Sequence, residues 1–349
     1  MTVPSFDTIA FVQRLVELVD TGRRESTYKL ATLTALIDVC VENEAAHNGT
    51  LAVPVQELAH RIIAYYWPQV RAYDERIVLS QNKSSGRTIP VLVARYKAST
   101  AFTTAEAARE VEDEHYVALV RDVELTVARQ PLTHFHTPAG RNNDFANDDF
   151  VFDARGFHKK MSRTHLVERG HVVLRSGVPR ALRDTSVLLR SFVKNAWVAD
   201  VVRMNKVSLD VEAIDGFLFG TSREALTTLN GPLRDLQDNR CFYCDSKLGP
   251  GAHIDHVLPW SRIPIDGVAN LVAADSACNL AKSASVPVRA HVDRALRRPR
   301  SDLLAIADRT RVPLLHDRTR SAAEGVYASL PAGVPLWIRS REYEPFVPV

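Results

Sequence analysis

The chain has 349 residues, 46% of them hydrophobic, so it can bury more than one core, and its length favours two or three domains over one. A net charge of only +3 excludes a globally basic, histone-like chain, so any nucleic-acid partner must be sought in local basic patches. Four cysteines, three of them between residues 241 and 278, exclude a secreted disulfide scaffold and point to a metal.

The opening stretch "MTVPSFDTIAFVQRL" lacks the basic-then-apolar order of a signal peptide. No apolar run reaches bilayer length, so the expectation is a soluble, cytoplasmic protein with no membrane partner. Residues 28–43 place Leu30, Leu33, Ile37 and Cys40 at helical spacing, which makes Cys40 a small core residue rather than a ligand. "VQELAHRIIAYYW" predicts a second helix stopped by Pro68. "ERIVLS" and "TIPVLVARY", apolar and β-branched, read as strands around the polar loop "QNKSSGR". A long helix is expected from about Ala105 to Ala128, ending before Pro131.

The turn-rich segment 136–150 marks a first boundary. After it, "FVFDA" and "HLVERGHVVLRSGVP" suggest a short β-unit. Residues 185–205 read as an amphipathic helix carrying Leu188, Leu189, Phe192, Trp197, Val198 and Val201. A helix near 222–239 leads into Cys241, and from about 290 a basic helical segment precedes a final strand, "VPLWIR". There is no internal repeat and no long low-complexity stretch.

The chemistry-bearing residues cluster between positions 241 and 282. They are Cys241-x-x-Cys244, His253-x-Asp255-His256, Asn270, and Cys278-Asn279-x-x-Lys282. Cys241-x-x-Cys244 is half of a tetrahedral zinc site, and only Cys278 lies downstream to extend it. In this order and spacing the segment 236–290 closely resembles the HNH endonucleases, the ββα-metal nucleases. "HIDHVLPWS" is similar to the family's central stretch and "NLVAADSACNLAKS" to its second half. "SREALTTLNGPLRDLQDNR" and "STYKLATLTALIDV" look, more loosely, like parts of bacterial standalone HNH proteins.

The resemblance implies a division of labour. Asp255 and the side-chain carbonyl of Asn279 would be oxygen ligands to Mg²⁺ (or Mn²⁺), which prefers few protein ligands and open positions for phosphate and water. His256 would be the general base. Asn270 would hold the loop that orients His256, and Lys282, one helical turn beyond Asn279, would either meet the phosphate backbone or sit solvated. His253 is assigned an auxiliary place beside the Mg²⁺ site. In the zinc-stapled branch of the family a second C-x-x-C closes the site. Here that pair reads Asp275-Ser-Ala-Cys278, which implies a structural Zn²⁺ held by Cys241, Cys244, Cys278 and Asp275, or a weaker or lost zinc.

The expected fold is α+β. It has a largely helical N-terminal region with a small sheet over 1–135, offering a possible DNA-recognition surface, and a mixed α/β region over 136–232. The ββα-metal (HNH) nuclease domain follows over 233–290, and a basic helix and strand over 291–349 pack on the rest. The expected activity is metal-dependent hydrolysis of DNA phosphodiester bonds, in restriction or phage defence, with a homodimer as one possible assembly. The alternatives are a toxin-like RNA-cleaving nuclease and a non-catalytic zinc-dependent nucleic-acid-binding module. The last has no need of Asp255, His256, Asn270 and Asn279 together. Among the basic stretches (Arg23, Arg24 and Lys29; Lys159, Lys160 and Arg163; Arg294, Arg297, Arg298 and Arg300), the last follows the motif most closely and is the first candidate for nucleic-acid contact.

Overall fold

The computed structural model describes residues 6–20, 24–73, 77–84, 86–137, 150–205, 211–219 and 226–348. Arg23, the start of "ERIVLS", most of the turn-rich segment 136–150 and the start of the helix expected near 222–239 lie outside the described residues. The chain divides into two compact units. One comprises Met1–Cys40 and Glu44–Gly220, the other Val41–Asn43 and Thr221–Val349.

In the first unit, α1 (Thr8–Asp20) buries Phe11, Leu15, Leu18 and Val19, three to four residues apart along one stripe. α2 (Tyr28–Glu42) is buried on nearly all sides, Cys40 included, and burial pushes the Cys40 thiol far above its ordinary value. β1 (Leu51–Pro54) leads straight into α3 (Val55–Gln69). Tyr66 of α3 meets Tyr28 and Trp197 at ring-centroid distances of 6.3 and 5.6 Å. Polar groups beside these rings are paired. Gln81 Oε1 accepts the Trp197 indole N–H at 2.7 Å and the Thr27 hydroxyl at 3.1 Å.

Several segments depart from expectation. "TIPVLVARY" is a helix, α4 (Ile89–Ala98), not a strand. Thr88 takes the extended N-cap conformation, Pro90 fits the first turn, and Ile89, Leu92, Val93 and Tyr96 are buried at i, i+3, i+4 and i+7. Burial at helical spacing outweighs the β-branched composition. Residues 77–80 of "ERIVLS" have no regular structure. The long helix divides into α5 (Ala105–Val111) and α6 (Glu114–Val127). Glu112 adopts a left-handed φ of 49°, and Asp113 caps α6 by accepting the Tyr116 N–H at 2.7 Å. Pro68 does not stop α3, which continues to Gln69.

The expected β-unit after residue 150 is half helix. Ser162 caps α7 (Arg163–Arg169), Gly170 ends it at φ 60°, and only β2 (His171–Leu174) is a strand. Its partner is β1, antiparallel, with Leu51 opposite Leu174. α8 (Val178–Asp184) and α9 (Ser186–Asn205) follow, and α9 buries Leu189, Val193, Trp197, Val198 and Val201, whereas Leu188 is exposed. α10 (Val211–Phe219) buries Ile214, Phe217 and Leu218.

The second unit is built around a strand pair. α11 (Asn230–Leu236), shorter than the expected helix, precedes the cysteine knuckle. β3 (His253–His256) pairs antiparallel with β4 (Leu271–Ala274), setting Asp255 opposite Val272 and His256 opposite Leu271. All four residues of β4 are buried. α12 (Ser276–Lys282) packs on β3 and completes a ββα unit. The tail adds α13 (Arg289–Leu296), α14 (Arg300–Thr310) and α15 (His316–Ala328). It closes with a hairpin of β5 (Pro335–Arg339) and β6 (Glu342–Pro345), one strand more than expected. Val286 and Val288 hydrogen-bond to Trp337 of β5 through the backbone, which ties the hairpin to the segment after α12. The α+β class holds, with a C-terminal ββα unit. Among the described residues no helix is long and apolar enough to cross a membrane.

Candidate metal centre

Side chains alternate along a strand, so His253 and Asp255 share one face of β3, and His256 closes the strand. On α12, Asn279 and Lys282 are three apart and share a face. The two faces meet in two rungs. Asn279 Nδ2 lies 2.9 Å from His253 Nδ1, and Lys282 Nζ lies 3.0 Å from Asp255 Oδ2. An amide NH₂ only donates, so His253 Nδ1 accepts and its ring proton sits on Nε2. Asn279 Oδ1 is thereby left for another partner.

Asp255 is buried and its carboxylate is held from two sides. Oδ2 accepts the Tyr243 hydroxyl at 2.5 Å, and Lys282 also reaches Oδ1 at 3.3 Å. Lys282 has no exposed surface and donates to the His256 carbonyl at 2.6 Å. It is therefore not a solvated lysine. Burial pulls its pKa down, and the Asp255 charge opposes that pull.

His256 points its Nε2 at Asp266 Oδ1, 2.6 Å away. A carboxylate only accepts, so Nε2 carries the proton and Nδ1 carries the free lone pair. The loop between them is clamped by Asn270, which is fully buried. Its Oδ1 accepts the Leu258 N–H at 2.8 Å, and its Nδ2 donates to the carbonyls of Leu258 (3.2 Å) and Ile265 (3.1 Å). One amide thus fixes both ends of the loop that carries Asp266.

A family model for a domain of unknown function, DUF8808, matches residues 8–217, more than half of the chain. The HNH endonuclease family model matches residues 241–288, the strand pair and helix just described. The chain belongs to the DUF8808 family and carries an HNH endonuclease domain. No curated protein and no solved structure matches it. The HNH domain marks the chain as a nuclease, a hydrolase of phosphodiester bonds, whose substrate is nucleic acid.

The same HNH domain gathers three cysteines. The Sγ atoms of Cys241, Cys244 and Cys278 all lie within 4.8 Å of one another, the only such metal-competent cluster among the described residues. Cys241 and Cys244 sit on a tight knuckle in which the Asp245 N–H bonds the Cys241 carbonyl, and Cys278 lies in the first turn of α12. Burial, then the neighbouring sulfurs, push the Cys278 thiol well up. Three sulfurs this close can hold one cation once deprotonated, and soft sulfur donors fit zinc. Asp275 is placed differently from the cysteines. Its Oδ1 accepts the Ala277 N–H at 2.8 Å as the cap of α12, while its backbone N–H points to Cys241 Sγ at 3.2 Å.

The basic run behind the HNH motif is not uniform. Arg298, expected on a nucleic-acid face, directs its guanidinium inward to the carbonyls of Leu271, Ala269 and Val268 at 2.9, 2.8 and 3.1 Å. It pins the end of α13 to β4. Arg294 bonds the Phe242 carbonyl and lies 4.2 Å over the Phe242 ring. Arg297 and Arg300 are exposed, and Arg300 approaches Asp317 at 3.7 Å. In the first unit, Arg24 pairs with Asp200, Arg163 with Asp122 at 2.8 Å, and Lys29 donates to the Thr137 carbonyl at 2.9 Å, whereas Lys159 and Lys160 are exposed.

Sequence reasoning missed two residues of this centre and one arginine in the loop after His256. Tyr243 hides inside the C-x-x-C, and Asp266 reads as a turn residue in "IPIDG". Arg262, six residues after His256, is half-buried, and burial lowers its pKa. Among the described residues no carboxylate receives its guanidinium. The one sequence signal for it is a lone arginine in the loop that follows the HNH histidine.

Proposed function

We propose that the HNH domain is a DNA endonuclease that uses His256 as general base beside a single Mg²⁺ site formed by Asp255 and Asn279. The observation that carries this reading is the His256–Asp266 hydrogen bond. It supports an imidazole with its proton on Nε2, whose Nδ1 would take a proton from water. Asp255 Oδ1 and Asn279 Oδ1 are the hard oxygen donors suited to Mg²⁺, and His253 stands beside Asn279. When bound, Mg²⁺ would stabilise the charge that develops on the phosphoryl oxygens and on the departing 3′ oxygen.

In this reading the protein's own residues divide the work. His256 Nδ1 removes a proton from the attacking water as its oxygen bonds to phosphorus, and the P–O3′ bond breaks with its electron pair leaving on the 3′ oxygen. Asp266 stabilises the imidazolium that forms. Asn270 keeps the 257–267 loop, and with it Asp266, in register with His256. Lys282 and Tyr243 hold Asp255 in one orientation. Arg262 is a desolvated cation without an acidic partner among the described residues and is suited to a backbone phosphate. Zinc at Cys241, Cys244 and Cys278 would tie the start of α12 to the knuckle and take no part in the reaction.

The test is cleavage of plasmid DNA and of total RNA by the purified chain, with Mg²⁺ and with excess chelator. The reading expects nicked or linear DNA with Mg²⁺ and intact DNA with chelator. Cleavage of RNA alone would transfer the activity to the RNA-cleaving alternative. Cleavage that survives chelation would overturn the metal mechanism.

A further inference from the structure

The cysteine knuckle and the acidic end of β3 meet at one side chain. Tyr243 stands between Cys241 and Cys244, and its hydroxyl donates to Asp255 Oδ2 at 2.5 Å. The ring is buried and boxed by aromatic neighbours. It meets Trp337 edge-on at 5.0 Å and 90°, His291 at 5.2 Å and 82°, and Phe242 at 5.2 Å and 86°.

The two oxygens of Asp255 are not equivalent. Oδ2 accepts the Tyr243 hydroxyl and lies 3.0 Å from the Lys282 ammonium. The Lys282 hydrogen bond itself goes to Oδ1, at 3.3 Å. A carboxylate oxygen offers two lone-pair sites, so each oxygen keeps one open. The short bond from the Tyr243 hydroxyl fixes the orientation in which the carboxylate presents them.

We propose that Tyr243 is a positioning residue that couples the cysteine knuckle to the catalytic-metal site, by holding the Asp255 carboxylate through Oδ2 in the orientation that meets the cation. This rests on Asp255 being the cation ligand, as argued above. The coupling makes the knuckle more than a staple. Disturbing the cysteines moves the ring, and the ring releases the carboxylate. Residues that orient a metal ligand in this way typically change metal affinity about tenfold or more when removed.

The experiment is Mn²⁺ binding to the full chain without nucleic acid, followed by electron paramagnetic resonance of the free ion, with zinc content and thermal midpoint recorded for each variant. Tyr243→Phe removes one oxygen and leaves the ring in its box. It is expected to keep wild-type zinc and a near wild-type midpoint while binding Mn²⁺ about tenfold more weakly. Cys244→Ser, at the exposed end of the knuckle, is expected to weaken Mn²⁺ binding in the Tyr243 background and to add little in the Phe background. Unchanged Mn²⁺ affinity in Tyr243→Phe overturns the inference and leaves the nuclease reading standing. Equal effects of Cys244→Ser in both backgrounds overturn the coupling. If wild type binds no Mn²⁺ that Asp255→Ala abolishes, Asp255 is not a cation ligand, and both the inference and the metal assignment fall.

Discussion

Lys282, which has no solvent-exposed surface, sets its ammonium 3.0 Å from Asp255 Oδ2 and 2.6 Å from the His256 carbonyl. One buried cation thus bridges the two adjacent residues on which the proposed reaction depends. Breaking a buried ion pair by removing one partner costs about 3–5 kcal/mol, because the remaining charge is left uncompensated. Lys282→Met should therefore lower stability by roughly 3 kcal/mol in chelator. A divalent cation restores a positive charge beside Asp255, so Mg²⁺ should raise the melting temperature more in this variant than in wild type. Calorimetric melting with and without Mg²⁺ checks both statements. A variant as stable as wild type in chelator would show that the pair is not what holds Asp255.

Asp266 touches only the far nitrogen of His256 in the proposed reaction. Asp266→Ala should lower kcat about tenfold to a hundredfold, the range seen when orienting partners are removed. KM and Mn²⁺ affinity should stay near wild type, because neither substrate nor cation meets Asp266. Steady-state cleavage kinetics separate the two parameters. A rise in KM with kcat unchanged would make Asp266 a substrate contact instead.

The cysteine cluster predicts about one zinc per chain after exhaustive dialysis, since three cysteine sulfurs lie within 4.8 Å of one another. Cys241→Ser should lose the zinc and lower the thermal midpoint. Asp275→Ala tests the fourth position. It should lower stability through loss of the α12 cap, about 1 kcal/mol, and lower zinc affinity only if the carboxylate leaves the cap to bind metal. Metal analysis that finds no zinc in active protein would reduce the cysteines to packing residues.

Arginines of the second unit should divide by experiment as they do by geometry. Arg298→Ala should destabilise the protein and leave the salt dependence of nucleic-acid binding unchanged, because its donors face backbone carbonyls. Arg262→Ala should weaken binding and reduce the salt slope by about one unit, the signature of one lost phosphate contact. Equal salt slopes in wild type and Arg262→Ala would leave that guanidinium without a phosphate.

The HNH segment was legible because its chemistry is local in sequence. C-x-x-C, H-x-D-H and C-N-x-x-K each set their residues by spacing along one strand, knuckle or helix. The partners that tune them are not local. Asp255 meets Tyr243 twelve residues away and Lys282 twenty-seven away, and His256 meets Asp266 across a loop, so spacing alone carries no sign of them. The first unit shows the same limit. β1 and β2 pair across more than a hundred residues, which no local pattern announces. In "TIPVLVARY" two patterns competed, and burial at helical spacing, with Pro90 in the first turn, prevailed over β-branched composition. Arg298 looked like surface from its neighbours, and only the fold shows carbonyls of β4 and the preceding turn waiting for it.

The central claim is that His256 Nδ1 removes the proton from the attacking water. Its most direct test is single-turnover cleavage of a labelled DNA duplex in Mg²⁺ by wild type and by His256→Ala, with DNA binding measured in parallel. General-base removal predicts a rate lower by about 10²–10⁴-fold with affinity and melting temperature near wild type. Cleavage by His256→Ala at the wild-type rate would contradict the account.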